Sequence, residues 1–388
     1  MRQASVRAVL RVLFVAAVGA APGVAASPVE LTVMTRNLYF GTDLTPLAAA
    51  PDLPSLVGAV TVAYGQVVAS DPAARIARIA DEIMAAQPDI VGLQEAVLWR
   101  TRTPSVFTSS PGPESVTYDF LQMLLADLGP AYTLAIASQN IDAAAPGLLG
   151  GVLSDIRLTD REAILVRSGL SILGAGSAVY SDFLQFPIAG STVDSLRTYA
   201  YVDIGLAAGT VRVVSTHLDP GDPAIQVAQG NELIAALDGV SLPQIVLGDF
   251  NSRADGLGTA TYANMLAAGF ADAWLDGGIG DGFTCCQAED LLNDPSALDQ
   301  RIDFVFHRGR IKTLSADVVG DELADRTASG LWPSDHAGVL VTLLVVPEPG
   351  VLVLVGIGLI GVCLSRRRHR PAGRAGDGCG GARPTSGP

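Results

Sequence analysis

The sequence predicts a mixed α/β sandwich built as a single domain. Three observations predict it. Strand and helix signals alternate from Pro28 to Val346 without a regular βαβ rhythm. Apolar residues make up 49% of the chain and charged residues 16%, enough to build a substantial core rather than a disordered chain. No fixed-period repeat and no internal linker interrupts the pattern, which argues against a solenoid, a propeller or two separate domains.

The elements follow in order. ELTVMTRN (30–37) alternates apolar and polar residues as a half-buried strand does. A helix is expected over 55–69. Asp71-Pro72 reads as an N-cap with proline at the first helical position, and Ile76, Ile79, Ile83 and Met84 recur at helical spacing until Pro88. DIVGLQE then reads as a buried strand. A second amphipathic helix is expected over 114–128, with Phe120, Leu121, Leu124, Leu125 and Leu128 on one face and Gly129-Pro130 as its stop. Strands are expected at 132–137 and 162–167, separated by a long Gly/Ala/Asp loop, 139–160. Further strands at 197–204 and 211–217, a helix at 222–238, and strands at 244–250, 301–306, 311–318 and 337–346 complete the domain.

Both ends read as addresses. Arg2, Arg7 and Arg11 precede an apolar run from Val12 to Ala21, and small residues follow with Val24 and Ala26 placed for cleavage after Ala26. Residues 1–26 therefore predict a secretory signal peptide, the alternative being a retained anchor. At the other end VPEP (346–349) leads into an apolar run from Gly350 to Leu364 and then Arg366, Arg367, Arg368, His369 and Arg370. The run is shorter than the roughly 20 residues of a comfortable span, and the arginines are expected to stay cytoplasmic. Residues 371–388 are Gly/Pro/Arg-rich and are expected to be disordered.

Without these ends the domain, 28–346, is strongly acidic. Three Arg in the first 26 residues and 6 beyond Val346 leave 16 of the 25 Lys and Arg; Glu348 and Asp377 leave 37 of the 39 Asp and Glu. The resulting formal charge of −21 repels polyanions at long range and counts against avid nonspecific DNA binding. The domain keeps two cysteines, Cys285 and Cys286. Export permits a bond between them, whereas adjacent Cα atoms are too close for a relaxed one, so a vicinal disulfide and a pair of thiols both stay open. Neither spacing nor partners suit zinc.

Polar residues stand where apolar strands end: Asn37, Glu95, His217 and Asp249. Rigid strand ends let such side chains converge on one pocket. In VLGDFNS (246–252), Asp249 can orient a water while Asn251, two residues on and expected on the same side, can bind an oxyanion. Asp303 is an acid inside the apolar strand RIDFVF, and Asp335-His336 precedes SDHAGVLVTL's apolar run. A buried Asp accepting from one ring nitrogen would orient His336 and favour its charged form.

Six blocks in order, TRNLYF, VGLQE, STHLD, LGDFNS, RIDFVF and SDHAGV, resemble the endonuclease/exonuclease/phosphatase superfamily over about 31–346. The resemblance implies a four-layer α/β sandwich, two packed mixed β-sheets flanked by helices, with a site at one edge. It implies a metal-dependent phosphoric ester hydrolase. In it Glu95 is the principal metal carboxylate with Asn37 beside it, and Asp335 a further ligand or nearby acid. Asp249 positions or deprotonates the attacking water, Asn251 holds a phosphate oxygen or that water, and His217 is a second phosphate contact. His336, held by Asp303, stabilises developing charge. Arg161, in DREAILV, matches a phosphate-contacting arginine of some members. Oxygen ligands favour Mg2+, with Mn2+ or Ca2+ as alternatives. The C-terminal segment, 347–370, resembles the PEP-CTERM sorting signal of Gram-negative bacteria. That resemblance implies transient membrane retention and cleavage near Pro-Glu-Pro by an exosortase, after signal peptidase has removed the leader; a simple tail anchor is the alternative.

The expected activity is hydrolysis of a phosphodiester, nuclease-like or phospholipase C/sphingomyelinase-like, by a monomer acting on nucleic acid or a phospholipid headgroup. The competing expectation is a noncatalytic surface or matrix-binding protein that reuses the fold. A sphingomyelinase needs an exposed apolar docking hairpin, for which Leu148 to Leu153 is the nearest and a Gly-rich candidate.

Overall fold

The computed structural model of the chain describes residues 26–106, 115–188 and 191–348. The leader and the C-terminal sorting and tail segments, together with Cys363 and Cys379, fall outside these residues except at positions 26, 347 and 348. Residues Ser27–Pro347 form one compact unit.

The chain opens with β1 (Val29–Asn37), α1 (Thr45–Ala48), α2 (Leu53–Ala69) and α3 (Pro72–Ala86). Strands β2 (Ile90–Gln94), β3 (Leu98–Arg102) and β4 (Ser115–Asp119) lead to α4 (Phe120–Leu128). A long hairpin follows, β5 (Tyr132–Leu149) and β6 (Val152–Arg167), then β7 (Ser171–Val179) and the small hairpin β8 (Leu184–Ile188) and β9 (Ser191–Ser195). Next come β10 (Thr198–Leu206), β11 (Gly209–His217), α5 (Pro223–Asp238), β12 (Gln244–Asp249) and α6 (Thr261–Ala267). The rest comprises β13 (Ala271–Asp272), α7 (Ala273–Gly277), β14 (Asp303–Arg308), β15 (Ile311–Val319) and β16 (Gly338–Val345).

Eight strands form one mixed sheet in the order β15-β16-β1-β2-β6-β3-β4, with β5 also paired to β6; six form the other, β13-β14-β12-β11-β10-β7. Strand alternation builds four layers. Val33, Ile90, Ile164, Val213, Ile245 and Val305 fill the space between the sheets. Their sequence neighbours point outwards. Met34, Val91, Ala163 and Leu165 meet α2, α3 and α4, while Val214, Val246, Phe304 and Phe306 meet α5 and α6. Each fully buried aliphatic of this kind contributes roughly 1.5–3 kcal/mol. Helix α3 starts where the sequence predicts, with the Asp71 carboxylate accepting from Ala74 N and Pro72 in its first turn.

Two expected elements differ. The helix expected over 114–128 begins only at Phe120: Ser115–Asp119 is a strand paired with β3, and Asp119 is the N-cap, accepting from Gln122 N. Val116 and Thr117 are β-branched and suit that strand. The expected loop 139–160 is most of the β5–β6 hairpin, turned at Gly150-Gly151 with φ of 57° and 80°. Ala, Gly and Ser masked its alternation. Asp142 holds it in register, pairing with Arg157 and accepting from Thr159. The hairpin's turn leaves Leu148, Val152 and Leu153 partly exposed, but Gly147 packs against Val60 of α2 and Leu148 N donates to Thr61 Oγ. Among the described residues no single helix is long and apolar enough to cross a membrane. Cys285 and Cys286 are joined as a vicinal disulfide.

Candidate active site

The site lies where strands of both sheets end together. In the first sheet, parallel pairing sets Asn37 beside Gln94, so Glu95 follows directly. In the second, register places His217 opposite Asp249 and Asp249 opposite Asp303. Side chains in register on adjacent strands share a face, so these three converge without help from loops. A buried polar bridge joins the two sheets just behind. Thr35 donates to Gln94 Oε1 at 3.0 Å, and Gln94 Nε2 donates to Ser215 Oγ at 3.1 Å. Gly248 is needed at its place: it has φ 149°, and a Cβ there would come within 2.0 Å of Thr216 O.

The backbone then departs from strand geometry to present the side chains. Tyr39, Glu95 and Asn251 adopt left-handed conformations, with φ of 60°, 53° and 48°. Non-glycine residues there are uncommon and gather at functional sites. Fully buried Arg75 of α3 ties the rim together, donating to Leu38 O at 3.0 Å, Pro333 O at 2.9 Å and Ser70 O at 3.0 Å. Ser334 donates to Asn37 O at 2.8 Å, joining the segment that holds Asp335 and His336 to the end of β1.

Asp249 is the hub. Its Oδ1 accepts Asn251 N at 2.9 Å. Its Oδ2 accepts Asn37 Nδ2 at 3.3 Å and lies 3.5 Å from His217 Nε2 and 3.8 Å from His336 Nε2. His336 Nδ1 pairs with Asp303 Oδ2 at 2.9 Å, the dyad that the sequence predicts. Thr284 Oγ accepts both Ile302 N and Asp303 N at 3.2 Å, while Cys285 pairs through its backbone with His336. The vicinal disulfide is thus bolted to the backbone of the dyad. Glu95 accepts Asn37 Nδ2 at 3.2 Å and Phe40 N at 2.7 Å.

Burial and like charge push these acids up. The Glu95 carboxyl is raised to about 8 by burial and then by Asp335; Asp249 is raised to about 7 by burial and then by Asp303. Burial also raises Asp335. Burial alone would lower His336, but Asp303, Asp335 and Asp249 outweigh it and raise the imidazole well above its ordinary range. His217 is lowered by burial, then by Arg197 and His336.

Three buried acids, Glu95, Asp249 and Asp303, and the half-buried Asp335 thus share a site offset in part by His336 and Arg75. Asp303 Oδ1 has no hydrogen-bond partner. Hard oxygen donors with excess negative charge fit a divalent cation of the magnesium type. Ligating atoms of Asp249, Asp303 and His336 lie within 4.8 Å of one another.

Two predicted site residues stand differently from their expected roles. Asn37 Oδ1 accepts Tyr39 N at 2.9 Å, so the amide turns its NH2 to Glu95 and Asp249. In this geometry Asn37 clamps the two carboxylates and does not offer its oxygen as a ligand. Arg161 is not gathered with the others. Its guanidinium donates to Ala96 O at 2.7 Å and Asp119 Oδ1 at 2.5 Å, on the turn just past Glu95. Asn251, in the left-handed conformation after the strand, spends one amide hydrogen on Leu218 O at 3.0 Å.

Sequence reasoning missed a second buried group behind His217: Asn140, Asp160, Glu162 and Arg197. Arg197 Nη1 lies 3.0 Å from His217 Nδ1 and 3.8 Å from Asp160 Oδ2. Asn140 Nδ2 donates to Asp160 Oδ2 at 2.9 Å and Glu162 Oε1 at 3.1 Å. The signal was present in DREAILV: strand alternation sends Asp160 and Glu162 to one face and Arg161 to the other.

Two stacked sheets bring acids and two imidazoles together at their common edge, side chains of the kind that can hold a metal ion. The profile of the endonuclease/exonuclease/phosphatase family matches residues 62–336, and the chain belongs to that family. Its members are phosphoesterases and nucleases and generally depend on divalent metal. A PEP-CTERM protein-sorting motif matches residues 345–368, which implies export and association with the envelope. Among solved structures, an endonuclease/exonuclease/phosphatase family protein from Leptotrichia buccalis is similar at 18% identity and TM-score 0.52, covering 81% of this chain and 99% of its own. The mannosyl-6-phosphatase Bt3783 of Bacteroides thetaiotaomicron is similar at 19% identity and TM-score 0.50, covering 81% and 99%. A humanized TDP2 of D. rerio is similar at 15% and 0.51, covering 81% and 98%. These likenesses show the fold. No curated protein sequence matches the chain.

Proposed function

We propose that this chain is an exported, divalent-metal-dependent phosphoesterase that hydrolyses a phosphodiester by attack of an activated water. The observation that supports the reading is the convergence of Asn37, His217 and His336 on Asp249. Asp249, raised to about 7, matches a general base for neutral pH and takes a proton from the water. His336, charged by its pairing with Asp303, places a proton at the phosphoryl or leaving oxygen. Asn251 and His217 donate to the remaining phosphoryl oxygens. Glu95 and Asp335 would hold the cation, Mg2+ first and Mn2+ or Ca2+ as alternatives; bound there it supplies Lewis-acid charge neutralisation.

The charge of −21 over residues 28–346 favours short or small phosphodiesters, such as a phospholipid headgroup or unstructured oligonucleotide, over duplex DNA. In the same proposal the protein is a monomer of a Gram-negative bacterium. Signal peptidase removes residues 1–26, and an exosortase-type enzyme then cuts near Pro347-Glu348-Pro349 after transient anchoring.

The test is turnover of bis-p-nitrophenyl phosphate, sphingomyelin, RNA, plasmid DNA and inositol phosphates, with and without chelator. Chelator-sensitive hydrolysis restored by Mg2+ is expected. No turnover of any substrate by folded, Mg2+-loaded protein would leave the noncatalytic surface-protein reading.

A further inference from the structure

His217 is 2% exposed at the end of β11, and four groups face its ring. Arg197, immediately before β10, lies 3.0 Å from Nδ1. Glu162 Oε1 of β6 lies 3.8 Å from the same nitrogen, beyond hydrogen-bond reach. Asp249 Oδ2 of β12 lies 3.5 Å from Nε2, and His336 adds positive charge from the far side of Asp249. A guanidinium can only donate. Nδ1 must therefore accept, and a neutral ring whose Nδ1 accepts carries its hydrogen on Nε2, the nitrogen that faces the reacting centre.

We propose that Arg197 holds His217 as the neutral Nε2–H tautomer, making His217 a fixed hydrogen-bond donor and Arg197 the positioning residue behind it. The donor's target, a phosphoryl oxygen, rests on the function proposed above; the tautomer does not.

The surrounding network keeps Arg197 in that place. Asp160 Oδ2, 3.8 Å away, is its counter-charge, and Asp160 in turn is clamped by Asn140 at 2.9 Å. The Asn140 amide cannot be flipped without turning its oxygen to two carboxylates. In this orientation Thr198 Oγ1 donates to Asn140 Oδ1 at 2.8 Å. The same clamp draws Glu162 Oε1 to 3.1 Å from Asn140 and away from the imidazole. Arg197, Asp160 and Glu162 are all buried, and burial raises both carboxyls, Glu162 well above its ordinary range, so the Arg197 guanidinium is the charge set directly against the ring.

The arrangement divides labour between the rings. His336, paired with a carboxylate, can gain and lose a proton. His217, paired with a guanidinium, presents one proton and does not exchange its role, as befits a donor that must be in place at every pH of turnover.

The experiment is long-range 15N NMR on the full exported chain labelled in histidine, with the His217 signals assigned by their loss in His217→Gln. Across pH 6 to 9 the expected pattern is an unprotonated Nδ1 and a protonated Nε2, with no titration. Arg197→Met, which removes the donor, should lose this pattern, the ring hydrogen then moving to Nδ1 on the side of Glu162 or the ring beginning to titrate. Arg197→Lys, which also only donates, should keep it. A protonated Nδ1 in the unmodified chain overturns the proposal, because it makes Glu162 the partner. So does an unchanged pattern in folded Arg197→Met. If the expected pattern is found in a protein that hydrolyses no phosphoester, the tautomer stands and only the proposed function fails.

Discussion

The two imidazoles that converge on Asp249 sit in opposite electrical surroundings. His336 faces Asp303 at 2.9 Å across Nδ1; His217 faces Arg197 at 3.0 Å across the same atom. One ring is pushed well above its ordinary range and the other well below. Both rings are buried, and burial disfavours charge on each. The partner on Nδ1 therefore decides which ring stays charged. The sequence already pairs His336 with Asp303; only the third dimension shows that the partner of His217 is an arginine.

The largest expected effect falls on the residue the two rings share. Asp249→Ala should lower kcat by about 10²–10⁴-fold, the usual cost of a general base, while circular dichroism stays native. Retention of more than a tenth of the activity would move the base elsewhere and dissolve the comparison.

Next comes the charged side. His336→Ala should cost about 10²-fold in kcat, and Asp303→Asn plus His336→Ala should be scarcely worse, because residues acting as a unit are strongly non-additive. Asp303→Asn alone should move the basic limb of the pH–rate profile to lower pH, since the carboxylate raises the imidazole. Multiplied losses with an unmoved limb would show that the two act separately.

The legibility of the two sides differed for a physical reason. Glu95 follows β2, Asp249 ends β12, Asp303 opens β14 and His336 stands just before β16, so a polar side chain at the edge of an apolar run betrayed each of them. The mixed α/β sandwich was legible in the alternation of β1 and the apolar runs of β12 and β14, whereas the four layers came with the family resemblance. The His217 side was not legible. Arg197 sits immediately before β10 among Ser, Leu and Thr, where an arginine is unremarkable, and its acids lie in a hairpin strand whose Ala- and Gly-rich partner reads as loop. The clamp by Asn140 joins residues 20 and 22 positions apart across a register set by a bulge between Gln139 and Asp142, which no local pattern encodes.

Stability should follow the site's charge. Unfolded carboxyls ionise near pH 4, whereas folded Asp249 and Glu95 hold their protons to about 7 and about 8. Over that interval the native state binds more protons, so metal-free stability falls as pH rises and levels off above about 8. Raised His336 adds the same sign above its unfolded value; depressed His217 opposes it only below about pH 6.5, where the unfolded ring is protonated. Metal-free protein should therefore lose at least about 1.5 °C in Tm between pH 7 and 9, the shift that about 1 kcal/mol gives in a domain of roughly 320 residues. Millimolar Mg2+ should remove most of that loss. A Tm that rises over the same range in the metal-free protein would mean that the acids are not gathered as described.

The smallest effect on turnover is expected at Arg161, which separates an arginine that shapes the site from one that touches its contents. Its Nε and Nη2 are spent on Ala96 O, Val97 O and Asp119, and Ala96 N returns a hydrogen bond to Arg161 O at 3.0 Å. Those four contacts fix the turn that holds Glu95 in its left-handed conformation. Loosening the turn should be felt through Glu95 and hence through the metal. In Arg161→Lys, which keeps the charge but not the fork that spans two carbonyls, the metal concentration for half-maximal activity should rise about 10-fold, the lower end of what losing a supporting contact costs. At saturating metal, kcat should return to within about 3-fold of the parent and KM for the phosphoester should not move. A direct phosphate contact gives the reverse: a raised KM that excess metal does not repair. That outcome would return Arg161 to the substrate and leave the turn after β2 to hold itself.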